Sequence, residues 1–184
     1  MALTEIDVDV SPERCFEVLS DPRSYAYWVV GSREVRAADA NWPAPGSRFH
    51  HTVEPGVEDH TVVEEVEPNR RLRLRARFRP LGTAFVTLTM QPRGGGCRLR
   101  LEEEPADRLS RLMFNPLADR LLHHRNVAAI ERLKRLVEGT VPIPTDGRDP
   151  KAAGRTSTLR RGSVAALTGV FAILAYVAFT RIKA

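Results

Sequence analysis

The chain has 184 residues and a formal net charge of +5, a length that suits one main domain with a core large enough to fold alone. Beyond Thr140 stand Arg148, Lys151, Arg155, Arg160, Arg161, Arg181 and Lys183 against Asp146 and Asp149, which accounts for the whole surplus. Met1–Gly139 is therefore balanced, so the basic pI is no argument for nucleic-acid binding, and membrane phosphates are the acidic partner it fits.

The elements follow in chain order. Ile6, Val8 and Val10 alternate with Glu5, Asp7 and Asp9, the pattern of a half-buried strand. Met1 leads into it without a basic or apolar leader, which predicts a domain made and kept in the cytoplasm. Ser11-Pro12-Glu13 supplies a hydroxyl N-cap, a proline at the first helical position and an acid in the first turn. Asp21-Pro22 repeats the device for a short second helix ending near Trp28. After Gly31 come six candidate strands, separated at Pro43–Gly46, Pro55-Gly56, Pro68-Asn69, Pro80–Gly82 and Arg93–Gly96. From Leu117 to Glu138 the period turns helical, with Leu122, Asn126, Ala129, Leu133 and Leu136 on one stripe. Cys15 and Cys97 fall in core helix and core strand patterns and read as reduced, buried side chains, not as a disulfide framework.

Residues 140–162 carry Pro142, Pro144, Gly147, Pro150 and Gly154 with no periodicity, and read as a mobile basic linker. Ser163–Thr180 runs without a charge between Arg160-Arg161 and Arg181, the pattern of a C-terminal transmembrane helix. Its 18 residues span about 27 Å, close to a hydrocarbon thickness of roughly 30 Å. The stronger basic flank precedes it, which predicts a single-pass membrane protein with residues 1–139 on the cytoplasmic side.

The order strand, two helices, six antiparallel strands, long helix predicts an α+β fold whose sheet leaves a cavity beneath the long helix. The run Ile6–Leu19, then Asp21-Pro22 and Tyr25–Trp28, resembles the opening of the polyketide cyclase/dehydrase-like branch of the START/Bet v 1-like (SRPBCC) superfamily. Trp42–Ser47 and Arg125-Asn126 through Leu133 continue the resemblance, which covers residues 1–138. It implies a helix-grip domain at 1–139, with a curved seven-stranded antiparallel sheet wrapped on the C-terminal helix. The superfamily includes lipid carriers, ligand receptors and a few cyclases, so the resemblance implies shape more than activity.

A hairpin closed at Pro55-Gly56 pairs His51 with His60 and Phe49 with Val62. Alternation carried across Pro68-Asn69 sets Glu64 beside Leu74 and Val66 beside Leu72, with His51, His60 and Glu64 all inward. Two imidazoles and a carboxylate there are the candidate acid–base set, or an incomplete metal site. Asn126 breaks the apolar stripe and needs a partner, either a sheet or helix neighbour or a ligand. Arg71, Arg73, Arg75, Arg77 and Arg79 alternate with apolar residues, and Glu65 opposing Arg73 and Glu67 opposing Arg71 make that face a solvated, partly neutralised one.

The sequence contains no phosphate loop, nucleophile elbow or hydrolytic carboxylate pair, so neither cofactor nor metal is expected. Nothing in it specifies an oligomeric state. The first functional expectation is a membrane-tethered binding domain for a hydrophobic small molecule, a lipid or a polyketide-like compound. The lining would include Tyr25, Trp28, Phe49, His51, Leu74, Leu122, Asn126 and Ile130. The alternatives are a cyclase or dehydratase using His51, His60 or Glu64, and a scaffolding domain without catalysis.

Overall fold

A computed structural model describes residues 2–53, 57–78, 82–107 and 116–149. Strand β1 (Ala2–Val8) leads into helix α1 (Pro12–Leu19), whose start is fixed by Ser11, with its side-chain oxygen accepting the Arg14 N–H. Asp21 caps a 3-10 turn (Pro22–Ser24) in the same way, and the short helix α2 (Tyr25–Trp28) follows directly. Strands β2 (Ser32–Ala38), β3 (Arg48–Val53), β4 (Val57–Glu67), β5 (Arg71–Phe78), β6 (Gly82–Arg93) and β7 (Gly96–Pro105) come next, then helix α3 (Pro116–Val137).

The strands form one antiparallel sheet in the order β1-β7-β6-β5-β4-β3-β2. Each hairpin pairs neighbours in sequence, and β1 closes against β7, so β1 and β2 are the two edges. Alternation sends Val63, Leu72, Leu74, Leu88, Leu99 and Leu101 to one face, where they are buried with Ala129, Ile130, Leu133, Leu136 and Val137 of α3. That is the inner face. The expected seven-stranded sheet and covering C-terminal helix are therefore both present, in the arrangement of the helix-grip fold. Cys15 and Cys97 are free and buried, and desolvation pushes both thiols up.

The register departs from simple alternation at two places. Val53 pairs with Val57, which closes the β3–β4 hairpin one residue tighter than the expected pairing. His51 accordingly faces Asp59, Phe49 faces Thr61, and His60 faces His50. Between β4 and β5, Val66↔Leu72, Glu65↔Arg73 and Glu67↔Arg71 stand as expected, but a bulge at Glu64 makes Val63 the partner of Leu74. The extra residue reverses the phase of everything before it. Asp59, Thr61 and Val63 become buried, while His60 and Glu64 turn to the outer face.

The chain also stays with the domain beyond Gly139. Val141 and Ile143 pack on the core, and Gly147–Asp149 hydrogen-bonds along β2. The linker expected from residue 140 is thus docked as far as Asp149, because its apolar residues find the core. Among the described residues no helix is long and apolar enough to cross a membrane. The expected anchor at Ser163–Thr180 and the rest of the linker lie outside the described residues.

Candidate functional site

The inner face has an apolar middle. Leu74 stands between Val63 and Val86, and the next cross-strand row holds Ala76 and Ala84. Buried polar groups lie at both sides of this floor. On β3 and β4 they are His51, Asp59 and Thr61, and on β7 the group is Glu103. Alternation along β7 carries it there, because Cys97, Leu99 and Leu101 occupy the same face.

Glu103, only 4 % exposed, is held by α3. Its Oε2 accepts from Arg125 Nη2 at 2.6 Å and from Asn126 Nδ2 at 3.2 Å. Arg125 Nη2 also lies 3.4 Å from Asn126 Oδ1, so each of the three side chains contacts the other two. A buried carboxylate is tolerable only with such charge-assisted partners. Asn126 breaks the apolar stripe to provide one of them.

His51 sits at the other side with its Nε2 3.5 Å from Thr61 Oγ1. Burial lowers its pKa to about 4, outweighing the opposite pull of Asp59, so the ring is neutral near pH 7. An aromatic group backs it. The Phe49 ring lies 5.3 Å from His51, 4.8 Å from Tyr25 and 4.9 Å from Trp42, and Tyr25 stacks obliquely on Trp28 at 5.0 Å. Tyr25 donates its hydroxyl to the Leu19 carbonyl, whereas the buried Trp28 Nε1 has no partner among the described residues.

A family model described as "Polyketide cyclase / dehydrase and lipid transport" matches residues 3–138. The chain belongs to the polyketide cyclase/dehydrase and lipid transport family. No curated protein matches it. Among solved structures, protein MLL2253 from Mesorhizobium loti is similar at 23 % identity and TM-score 0.59, over 77 % of this chain and 98 % of its own. CV1439 from Chromobacterium violaceum aligns at 21 % identity and TM-score 0.56, over 74 % and 95 %. DynU16, a protein of the dynemicin biosynthetic locus, aligns at 20 % and 0.59, over 79 % of this chain and 49 % of its own. At these identities the likeness is one of fold.

Within this polyketide cyclase/dehydrase family domain, the structure sorts the sequence candidates. Tyr25, Trp28, Phe49, His51, Leu74, Asn126 and Ile130 are all buried toward the core, and Leu122 is half-buried on α3. The proposed acid–base set does not assemble. His60 is half-exposed on the outer face with its ring 6.1 Å from His50, and Glu64 pairs with Arg75 at 2.8 Å. Strict alternation counted back from Val66 had turned both inward, and the bulge undoes it. No group of three or more metal-binding side chains occurs among the described residues.

Sequence reasoning missed Asp59, Thr61 and Glu103 on the inner face and Arg125 on α3. Glu103 had a usable signal, since the alternation of Cys97, Leu99 and Leu101 points to it from within the run Glu102–Glu104. Asp59 had none, because its phase depends on the bulge. On the outer arginine row Arg71 and Arg75 meet carboxylates, the second of them the Glu64 that had been expected inward, and Arg79 lies outside the described residues. Arg71 meets Glu65 at 3.2 Å, Arg75 meets Glu64, and Arg73 lies over the Phe85 ring at 4.4 Å.

Two clefts lie off the inner face. One of about 520 Å³ opens beside the β4–β5 turn, between Pro12-Glu13 and Thr89–Pro92. The other, about 370 Å³, lies between Ile6 of β1 and Glu131, Lys134, Arg135 and Glu138 of α3. Both are open and lined by charged side chains, so neither suits an apolar ligand.

Proposed function

We propose that this domain holds a hydrophobic small molecule, a lipid or a polyketide-like compound, between its sheet and α3. The 163–180 segment keeps it at a membrane, with the domain on the cytoplasmic side. The observation that carries the reading is the make-up of the inner face, an apolar floor through Val63, Leu74 and Val86 with isolated buried polar groups beside it. Such a surface gives affinity by burial, about 2.5 kcal/mol per 100 Å² of apolar area, and fixes orientation through few polar contacts. Trp28 Nε1 is a buried donor without a described partner, and a ligand acceptor would satisfy it. The family description, which joins cyclase and dehydrase with lipid transport, points to the same ligand chemistry.

Catalysis is the second reading, and one observation bears on it. His51 is the only one of the three acid–base candidates on the inner face, and its lowered pKa makes it a weak base near neutrality. A binding role therefore fits this site better than proton abstraction does. Native mass spectrometry of residues 1–149, purified from cells that supply native lipids, tests the proposal, with denaturing extraction to identify what is bound. A stoichiometric apolar adduct supports binding. A protein that is empty and ignores lipid and polyketide mixtures contradicts it and favours the scaffolding alternative.

A further inference from the structure

The register of the sheet sets acids against bases over much of its outer face. Asp7 stands opposite Arg98 and Glu5 opposite Arg100, while Glu65 and Glu67 stand opposite Arg73 and Arg71. Arg98 reaches Asp7 at 2.8 Å, Arg100 reaches Glu102 at 2.6 Å, and Arg36 on β2 pairs with Glu58. One corner, across β3, β4 and β5, is different. There the register sets Arg48 opposite Val62, His50 opposite His60, and Arg77 opposite Thr83. Arg48, His50 and Arg77 are exposed, and the His60 side chain is 31 % exposed. Among the described residues no carboxylate pairs with the side chain of Arg48 or Arg77. The neighbouring acids are engaged elsewhere: Glu64 binds Arg75 at 2.8 Å, Glu58 binds Arg36, and Asp39 accepts the Arg48 backbone N–H at 3.0 Å. Asp59 is buried on the inner face, with its Oδ1 3.9 Å from His60 Nδ1.

We propose that this corner, formed by Arg48, His50, His60 and Arg77, is the surface by which the domain touches an anionic lipid bilayer, and that the contact tightens as pH falls. The inference rests on the membrane reading given above and names the part of the folded domain that meets the lipid. The two arginines are charged at every relevant pH, and protonation of the two imidazoles doubles the charge of the corner. Burial, and then the charges of Arg77, His50 and Arg48, hold the His60 pKa below its usual value against the pull of Asp59. Lipid phosphates laid over the corner cancel that mutual repulsion and favour the protonated rings, so anion contact and proton uptake reinforce each other. Two imidazoles with ring centres 6.1 Å apart would otherwise suit a transition-metal ion, but Arg48 and Arg77 beside them repel a cation. The corner lies on the open face of the sheet and spans three strands, roughly 10 Å. Neither of the two clefts described above opens on it. Such a surface suits an array of headgroups better than one small anion, which needs a concave site.

The test uses the full chain in vesicles of phosphatidylcholine alone and of phosphatidylcholine with phosphatidylserine, both carrying a headgroup nitroxide quencher. A fluorophore is placed at Thr83→Cys, opposite Arg77, while Cys15 and Cys97 are buried and stay unlabelled. With phosphatidylserine, quenching should rise several-fold between pH 7.5 and pH 5.5, and about 0.5 M salt should abolish the rise by screening. With phosphatidylcholine alone it should stay low throughout. His50→Gln with His60→Gln should flatten the pH response, and Arg48→Gln with Arg77→Gln should remove the phosphatidylserine effect. Arg98→Gln with Arg100→Gln takes the same charge from β7 on the same face and should leave the effect in place. Circular dichroism at both pH values checks that each variant stays folded. Equal quenching in the two kinds of vesicle overturns the inference, as does an effect that survives the Arg48 and Arg77 changes or is lost equally with those at Arg98 and Arg100. An effect abolished by millimolar inorganic phosphate at constant ionic strength overturns the lipid assignment and gives the corner to a free phosphate. A chain that fails to float with phosphatidylcholine vesicles overturns the tether itself, and the corner then stands or falls on flotation with phosphatidylserine vesicles at pH 5.5.

Discussion

Asn126 in the middle of α3 donates its side-chain N–H to Glu103 of β7 across 3.2 Å, in a site where each residue is at most 4 % exposed. The contact joins the helix to the sheet through one polar pair inside an otherwise apolar layer. It explains why an amide interrupts the helical stripe, and why the carboxylate of Glu103 can remain inside.

Asn126→Ala removes a donor from a buried carboxylate and leaves Arg125 as its main partner. The expected loss is about 1–3 kcal/mol of unfolding free energy, the usual cost of stripping one bond from a buried polar group. Denaturant unfolding of residues 1–149 checks it, with the change expected in the midpoint and not in the slope. A neutral result would mean that water or another side chain replaces the amide.

His51 makes the domain sensitive to acid. Burial depresses its pKa from 6.5 to about 4 in the fold, so the unfolded chain binds a proton more readily through that interval. Stability is therefore complete above pH 6.5 and falls as pH drops toward 4, by up to about 3 kcal/mol from this group. His51→Phe should flatten this limb in a comparison of denaturant midpoints at pH 7 and pH 4.5. An unchanged slope would show that other groups carry the acid dependence.

Gly96 opens β7 where β1 ends, and a Cβ there would overlap the Val8 carbonyl. Gly96→Ala should force the β1 end away from β7 and cost about 2 kcal/mol or more, as overpacking against backbone does. Amide exchange should localise the loosening to Ile6–Val8 and Cys97–Leu99.

The outer face should respond differently. Arg73 lies over Phe85 and 3.9 Å from Glu104, and a quarter of its side chain is exposed. Arg73→Ala is expected to cost no more than about 1 kcal/mol, with part of that cost screened by salt. A loss of several kcal/mol would assign the arginine row a structural weight that its geometry does not suggest.

Much of the fold is legible in the sequence because local chemistry marks it. Ser11-Pro12 and Asp21-Pro22 announce their helix starts, and both caps form as the residues suggest. The pairing of Glu65 and Glu67 with Arg73 and Arg71 follows from a tight turn at Pro68-Asn69, where Asn69 adopts φ +63°. The site was harder to read. Side-chain direction in a strand has a period of two, so the single extra residue at Glu64 reversed His60 and Glu64 and brought in Asp59 and Thr61. Nothing in the composition of β4 marks that bulge. Asn126 was visible as an anomaly in a helical stripe, but its partner lay 23 residues back on another element. The docking of residues 141–149 was hidden because prolines and glycines read alike in a mobile linker and in a strap.

The account turns on whether the inner face receives an apolar molecule, and the most direct measurement is the ligand stoichiometry of residues 1–149 by native mass spectrometry. The parent should carry close to one apolar adduct per chain, and Leu74→Trp, which fills the floor between Val63 and Val86, should lose it while remaining folded. A parent that is empty, or an adduct held equally well by Leu74→Trp, would contradict the account.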